Sequence, residues 1–232
     1  MFLPIYDDNR LKSIRFQFVT LAIVLANIVI WAFFSSTGET GAYLSGFELS
    51  YGFIPSVVTD QAMLPAEYHV LPTAFSFVTY AFIHMGFWHL LGNMLFLWVF
   101  GDNVEDAFGH IRFILFYLLC AAAAAGAHTW TMPDSDASLL GASGAVSGVV
   151  AAYLMLTPRV WVWVLVLGRF PLALPAWILL LVWIGYQFIM LALGNTEVSY
   201  GAHAGGIMAG AALTLVLRRR GVPLFAKTEP SL

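Results

Sequence analysis

The sequence predicts an all-α polytopic membrane protein, a bundle of six transmembrane helices with both termini on the cytoplasmic side. Three observations carry that expectation. The 232-residue chain is 60% hydrophobic and only 10% charged, with a mean hydropathy of +0.83; a soluble domain carries about 25% charged residues. Six apolar stretches, near 16–34, 84–101, 110–128, 139–157, 171–193 and 200–217, approach the roughly 20 residues that a helix needs to cross a bilayer. With six spans, all ten Lys and Arg residues fall on one side.

Taken in order, residues 1–15 form a short cytoplasmic tail holding Arg10, Lys12 and Arg15. The first span follows with no A-x-A-like cleavage site after it. Residues 35–83 form the one long outer loop, with Pro55, Pro65 and Pro72 among many aromatics; loops this long are usually functional or folded onto their surroundings. Arg112, Arg159 and Arg169 fall in inner connections. Residues 218–232 form a basic cytoplasmic tail with Arg218, Arg219, Arg220 and Lys227. The outer segments carry acids instead: Glu39, Glu48, Asp60, Glu67, Asp134, Asp136 and Glu197. The positive-inside rule therefore orients the chain. The run Val160–Leu167 is too short to span; it either lengthens the fourth or fifth helix or lies at the inner interface. The segment 101–109 reads as a structural turn.

Polar side chains within a span are costly, so each is a functional candidate. The second span carries His89 and Asn93, four apart and so on one helical face, with His84 pointing elsewhere. The fourth carries Ser143 and Ser147, and the sixth begins with His203 near its outer end. His89 lies thirteen residues before Asp102, Ser143 fourteen before Thr157, and His203 fifteen before Arg218. At ~1.5 Å per residue, all three stand about 20–23 Å above the inner face of a ~30 Å core. Small residues argue for lateral contact. The fourth span has Gly144-x-x-x-Gly148; the sixth has Gly201-x-x-x-Gly205 and Gly206-x-x-x-Gly210. Such faces let helix backbones approach closely. If they meet, Ser143 and His203 come within hydrogen-bonding reach.

That pairing would permit nucleophilic chemistry. A serine needs a base to accept its proton, and an imidazole titrates near neutral pH. No span holds a carboxylate at this level, so a dyad is available and a carboxylate-assisted triad is not. Developing negative charge on oxygen needs aimed donors. Ser143 stands where a helix starts and backbone N–H groups are free, and His89 and Asn93 are further candidates.

These residues together resemble the rhomboid family of intramembrane serine proteases. The match comprises His84, His89 and Asn93, then Gly141-Ala142-Ser143-Gly144, then Ala202-His203 with Gly206 and Gly210, in order on spans two, four and six. The resemblance implies a six-span rhomboid-like core over 16–217, Ser143 as nucleophile and His203 as base. It also implies an oxyanion hole of His89, Asn93 and the Ser143 backbone N–H, a packing role for Ser147, and a structural or water-binding role for His84. The implied substrates are transmembrane helices cut near their outer ends, with no cofactor and no metal. Many members carry Trp-Arg nine residues before the first histidine of the motif; here the position reads Phe75-Ser76.

Two other readings use the same residues. His84, His89 and His203 could bind a metal ion or relay protons in a transporter, but the lower halves of these spans are apolar. A non-catalytic binder of transmembrane helices is the other. No basic run interleaved with aromatics suggests nucleic acid. Cys120 reads as a packing residue, and His69, His110 and His128 as interfacial. Without an Arg- and Ser-rich presequence, the expected location is the plasma or bacterial inner membrane, with the site opening outward.

Overall fold

Each of the six apolar stretches forms a helix: α1 Phe18–Ser36, α2 Phe87–Phe108, α3 His110–Thr131, α4 Ser143–Leu156, α5 Ala176–Ala192 and α6 Tyr200–Leu217. The computed structural model describes residues 2–36, 46–166, 168–196 and 198–226. Glu39, Leu167, Glu197 and Lys227 lie outside the described residues. By length and composition two of the described helices, α3 and α6, can cross a membrane. A third span results if the segment Thr73–Phe82 is joined to α2 across a bend of 87°. The helices α1, α4 and α5 are apolar over shorter stretches. Large apolar side chains such as Val29, Ile111, Val182 and Val216 are exposed around the bundle, as lipid-facing positions should be.

The protein is mostly helical rather than all-helical. Strands β1 Phe2–Asp7, β2 Trp161–Val166 and β3 Phe170–Pro175 form an antiparallel sheet in the order β1-β2-β3. Within the run 160–167, expected either to extend a helix or to lie at the inner interface, Trp161–Val166 form a central strand, so the helix extension is not what forms. Its alternation explains this: Val162 and Val164 are buried while Trp161 and Trp163 are exposed, the period of two that a strand imposes. β-branched and aromatic residues also favour the pleated surface. Gly168 turns the chain with φ 66°. The first residues of the expected fifth span become β3, where Pro171 and Pro175 would break a helix interior but fit an edge strand.

Two more boundaries differ from expectation. The segment 101–109 is not a loop: α2 continues to Phe108, and the turn is Gly109 alone, with φ 81°. Its acids close the start of α1. Buried Glu105 accepts the N–H groups of Val19 (3.0 Å) and Thr20 (2.8 Å) and the Thr20 hydroxyl (2.7 Å), donors that a helix N-terminus leaves without partners. Asp106 accepts the N–H groups of Lys12, Ser13 and Ile14. The fourth helix, expected from 139, begins only at Ser143. Leu139 is held outside it by a β-bridge to Phe53, and Gly141 has φ 104°, which no right-handed helix contains.

Helix α6 packs between α3 and α4 with different glycines on each side. A Cβ on Gly206 would stand 1.9 Å from the Gly144 carbonyl oxygen, and one on Gly210 2.4 Å from the Gly148 Cα. A Cβ on Gly205 would stand 2.3 Å from the Ala127 Cβ of α3. Only the Gly206–Gly210 pair meets the fourth helix; Gly201 and Gly205 meet the third. Any side chain here would force the backbones apart.

Candidate active site

Ser143 is the first residue of α4 and is half-buried, while its neighbours from Gly141 to Gly148 are buried. The loop ahead of it is fixed on three sides. The Gly141 N–H donates to the Tyr80 carbonyl (3.0 Å), the Ala142 N–H donates to His84 Nε2 (3.3 Å), and the Tyr80 hydroxyl donates to the Ala121 carbonyl (2.9 Å). Starting a helix here leaves the first-turn N–H groups without intrahelical acceptors, pointing past Ser143. Ser147 sits one turn deeper, fully buried, and donates its hydroxyl to the Ser143 carbonyl (2.6 Å).

His203 reaches the same level from α6. A Cβ on Gly144 would stand 3.8 Å from the Ala202 carbonyl, so the residues following Ser143 and preceding His203 face each other across the glycine seam. Among the described residues, no hydrogen bond joins Ser143 to His203; what the seam brings together is their neighbours, Gly144 and Ala202. The imidazole of His203 is buried. Its Nδ1 lies 2.7 Å from Gln187 Oε1 on α5, its ring stacks on Trp183 at 6.2 Å, and Tyr200 meets its edge at 6.2 Å.

His89 and His84 arrive from the α2 side. A Cβ on Gly141 would stand 2.5 Å from His89 Cε1 and 2.7 Å from Nε2, so the imidazole covers the loop that leads into Ser143. His84 does not share the helix of His89, because α2 begins at Phe87. Its ring therefore turns back to within 5.1 Å of the His89 ring, rather than away from it as a common helix would require. The Asn93 amide donates to His84 Nε2 (3.2 Å) and to the His89 carbonyl (3.0 Å). His84 Nε2 thus receives two N–H groups, and its Nδ1 is buried without a partner. Among the described residues, no three His, Cys, Asp or Glu side chains group as a metal site.

Comparison with known proteins bears on this arrangement. The rhomboid domain model matches residues 72–220, more than half of the chain and every residue of the cluster just described. The chain belongs to the rhomboid family. It is similar to the mitochondrial Rhomboid protein 1 of Saccharomyces cerevisiae, 33% identical over 139 residues, covering 58% of this rhomboid and 39% of the yeast protein. It is also similar to the chloroplastic Rhomboid-like protein 11 of Arabidopsis thaliana, 37% identical over 108 residues and covering 44% and 38%. RHOMBOID-like protein 1 of Arabidopsis thaliana is 29% identical across 91% of this chain and 56% of its own. The chain thus spans well under half the length of the first two relatives. This rhomboid is a membrane protein of a family whose members are usually intramembrane serine proteases, with inactive relatives among them. Mitochondrial and chloroplastic proteins stand among the relatives, so the similarity does not choose the plasma or bacterial inner membrane.

Gln187 and Trp183 were missed in the sequence. The signal was present: Gln187 is the one strongly polar side chain in the α5 sequence AWILLLVWIGYQFIMLA, and a polar residue inside a span is a functional candidate by default.

Proposed function

We propose that this rhomboid is a serine endopeptidase that hydrolyses a peptide bond in or near the outer end of transmembrane helices of substrate proteins. Ser143 Oγ attacks the carbonyl carbon while His203 takes its proton. His203 then delivers that proton to the departing amine nitrogen, leaving an acyl-enzyme that water hydrolyses by the same route in reverse. The oxyanion is held by the Ser143 N–H and by donors from His89 and Asn93, the Asn93 amide turning from its present acceptors. The observation that supports this reading is the glycine seam, which brings Gly144, next to the half-buried Ser143, against Ala202, next to the buried His203. No cofactor enters the scheme.

We further propose six spans, α1 to α6 with their flanking apolar residues, both termini cytoplasmic, and a site that opens outward. The distribution of Arg and Lys supports this. Reporter fusions after Asp134 and after Arg220 should read outside and inside respectively; an outside signal from the second would overturn the topology.

The activity is tested with the protein in liposomes and a single-span reporter substrate. Wild type should cut it and Ser143→Ala and His203→Ala should not, while Ser147→Ala keeps most of the activity. Wild-type cleavage by Ser143→Ala would overturn the mechanism.

A further inference from the structure

We propose that Gln187 is a third member of the site, a positioning residue that fixes the tautomer of His203; this rests on the protease reading above. The orientation of its amide is set by two contacts. Nε2 donates to the Trp183 carbonyl one turn earlier on α5 (3.3 Å), which leaves Oε1 facing His203 Nδ1 at 2.7 Å. An amide oxygen only accepts, so this contact requires Nδ1 to carry the ring proton. Turning the amide over would set Oε1 against the Trp183 carbonyl, two acceptors facing each other.

With the proton held on Nδ1, the lone pair of the neutral ring is on Nε2. That is the nitrogen left to accept the proton of Ser143. Trp183, on the same face of α5, fixes the plane of the imidazole by stacking, and Tyr200 meets its edge. The ring is therefore restrained in both orientation and tautomer from α5. Both partners of the bond are buried, Gln187 at 3% and His203 at 7% exposure. In carboxylate-assisted sites a buried acid performs this service and also stabilises the imidazolium. Here the acceptor is neutral. It orients the base without placing a second charge in an apolar bundle, where an isolated carboxylate would be costly.

The test uses the full chain in liposomes with two variants. Gln187→Met keeps the volume and removes the acceptor; Gln187→Glu keeps an acceptor oxygen. For Gln187→Met, kcat and the rate of fluorophosphonate labelling at Ser143 should fall together by about 10- to 100-fold, part of the roughly 10²–10⁴ that a positioned general base supplies. KM should hold, the thermal midpoint should fall only modestly as the buried Nδ1–H loses its acceptor with the protein still folded at the assay temperature, and Gln187→Glu should recover most of the rate. Gln187→Met reacting at the wild-type rate, or a Glu variant no better than Met, overturns the proposal. A second readout does not depend on any variant folding: nitrogen-15 spectra of histidine-labelled wild type should show His203 protonated at Nδ1, and protonation at Nε2 of the neutral ring overturns it equally. Failure of the underlying reading is distinguishable, because the wild type itself would then resist labelling.

Discussion

The imidazole of His89 lies against the Cα of Gly141, so close that a Cβ there would stand 2.5 Å from its Cε1. Two demands meet at this glycine, the contact and a φ of 104°, a conformation side-chain-bearing residues adopt only under strain, at about 1–3 kcal/mol. Gly141→Ala should displace His89 or unwind the loop ahead of Ser143. Loss of one oxyanion donor slows reaction by about 10²–10³, and the cleavage rate of this variant should fall by at least that much. A rate within twofold of wild type would mean that the position of His89 over the loop does not matter.

Asn93 separates assistance from attack. Its amide lies between His84 and the His89 carbonyl and has no part in making or breaking a covalent bond. Asn93→Ala should cleave slowly but measurably, again by about 10²–10³ if it supplies one donor, and should still be labelled at Ser143. If the amide only braces His84, the thermal midpoint falls and activity declines in proportion to the unfolded fraction. Rate and midpoint measured on one preparation decide between them.

The glycine seam makes a contrast within one residue type. Gly206→Ala places a Cβ 1.9 Å from a backbone oxygen, so α4 and α6 must part. Overpacking of this kind costs about 1–3 kcal/mol, and cleavage should be lost with it. Gly126 on α3 has nothing within 4 Å of its Cβ position, so Gly126→Ala should be neutral or stabilising by up to about 1 kcal/mol through helix propensity. Thermal midpoints of the two variants check this; equal midpoints would contradict the packing described here.

Asp7 gives the sheet a pH dependence. Its carboxylate receives the Tyr153 hydroxyl (2.5 Å) and the Asn103 amide (3.1 Å), yet burial pushes its pKa up from 3.8 to about 7. Between those values the folded state binds a proton that the unfolded state has released. Stability from Asp7 is therefore full below pH 3.8, declines as pH rises, and is lost on passing about 7. Asp7→Asn should flatten the fall in thermal midpoint between about pH 4 and about 7; an unchanged slope would remove Asp7 as its source.

Much of this was legible in the sequence because bilayer-scale apolar runs and small-xxx-small faces are local patterns. The six helices and the approach of the fourth to the sixth follow from them, while the resemblance to the family rested on the His, Asn, Ser and Gly motifs at 84–93, 141–144 and 202–210. What was not legible depends on partners distant in sequence. Trp161–Val166 were not read as a strand because their alternation of Val and Trp spans only a few residues, and the sheet is completed by Phe2–Asp7 far upstream. That Ser143 lies at a helix start was legible, but the exclusion of Leu139 from that helix depends on its pairing with Phe53. The direction of His84 depended on where α2 begins, which hydropathy does not mark. Gln187 was visible as a lone amide, but its partner on α6 was not.

The central claim is that Ser143 is an activated nucleophile, and covalent labelling tests it most directly. The purified protein, treated with a fluorophosphonate and digested for mass spectrometry, should carry the adduct on Ser143 and not on Ser147. Labelling should be abolished in Ser143→Ala and strongly slowed in His203→Ala. No adduct on Ser143 in folded wild-type protein, or an adduct unaffected by loss of His203, would contradict the account.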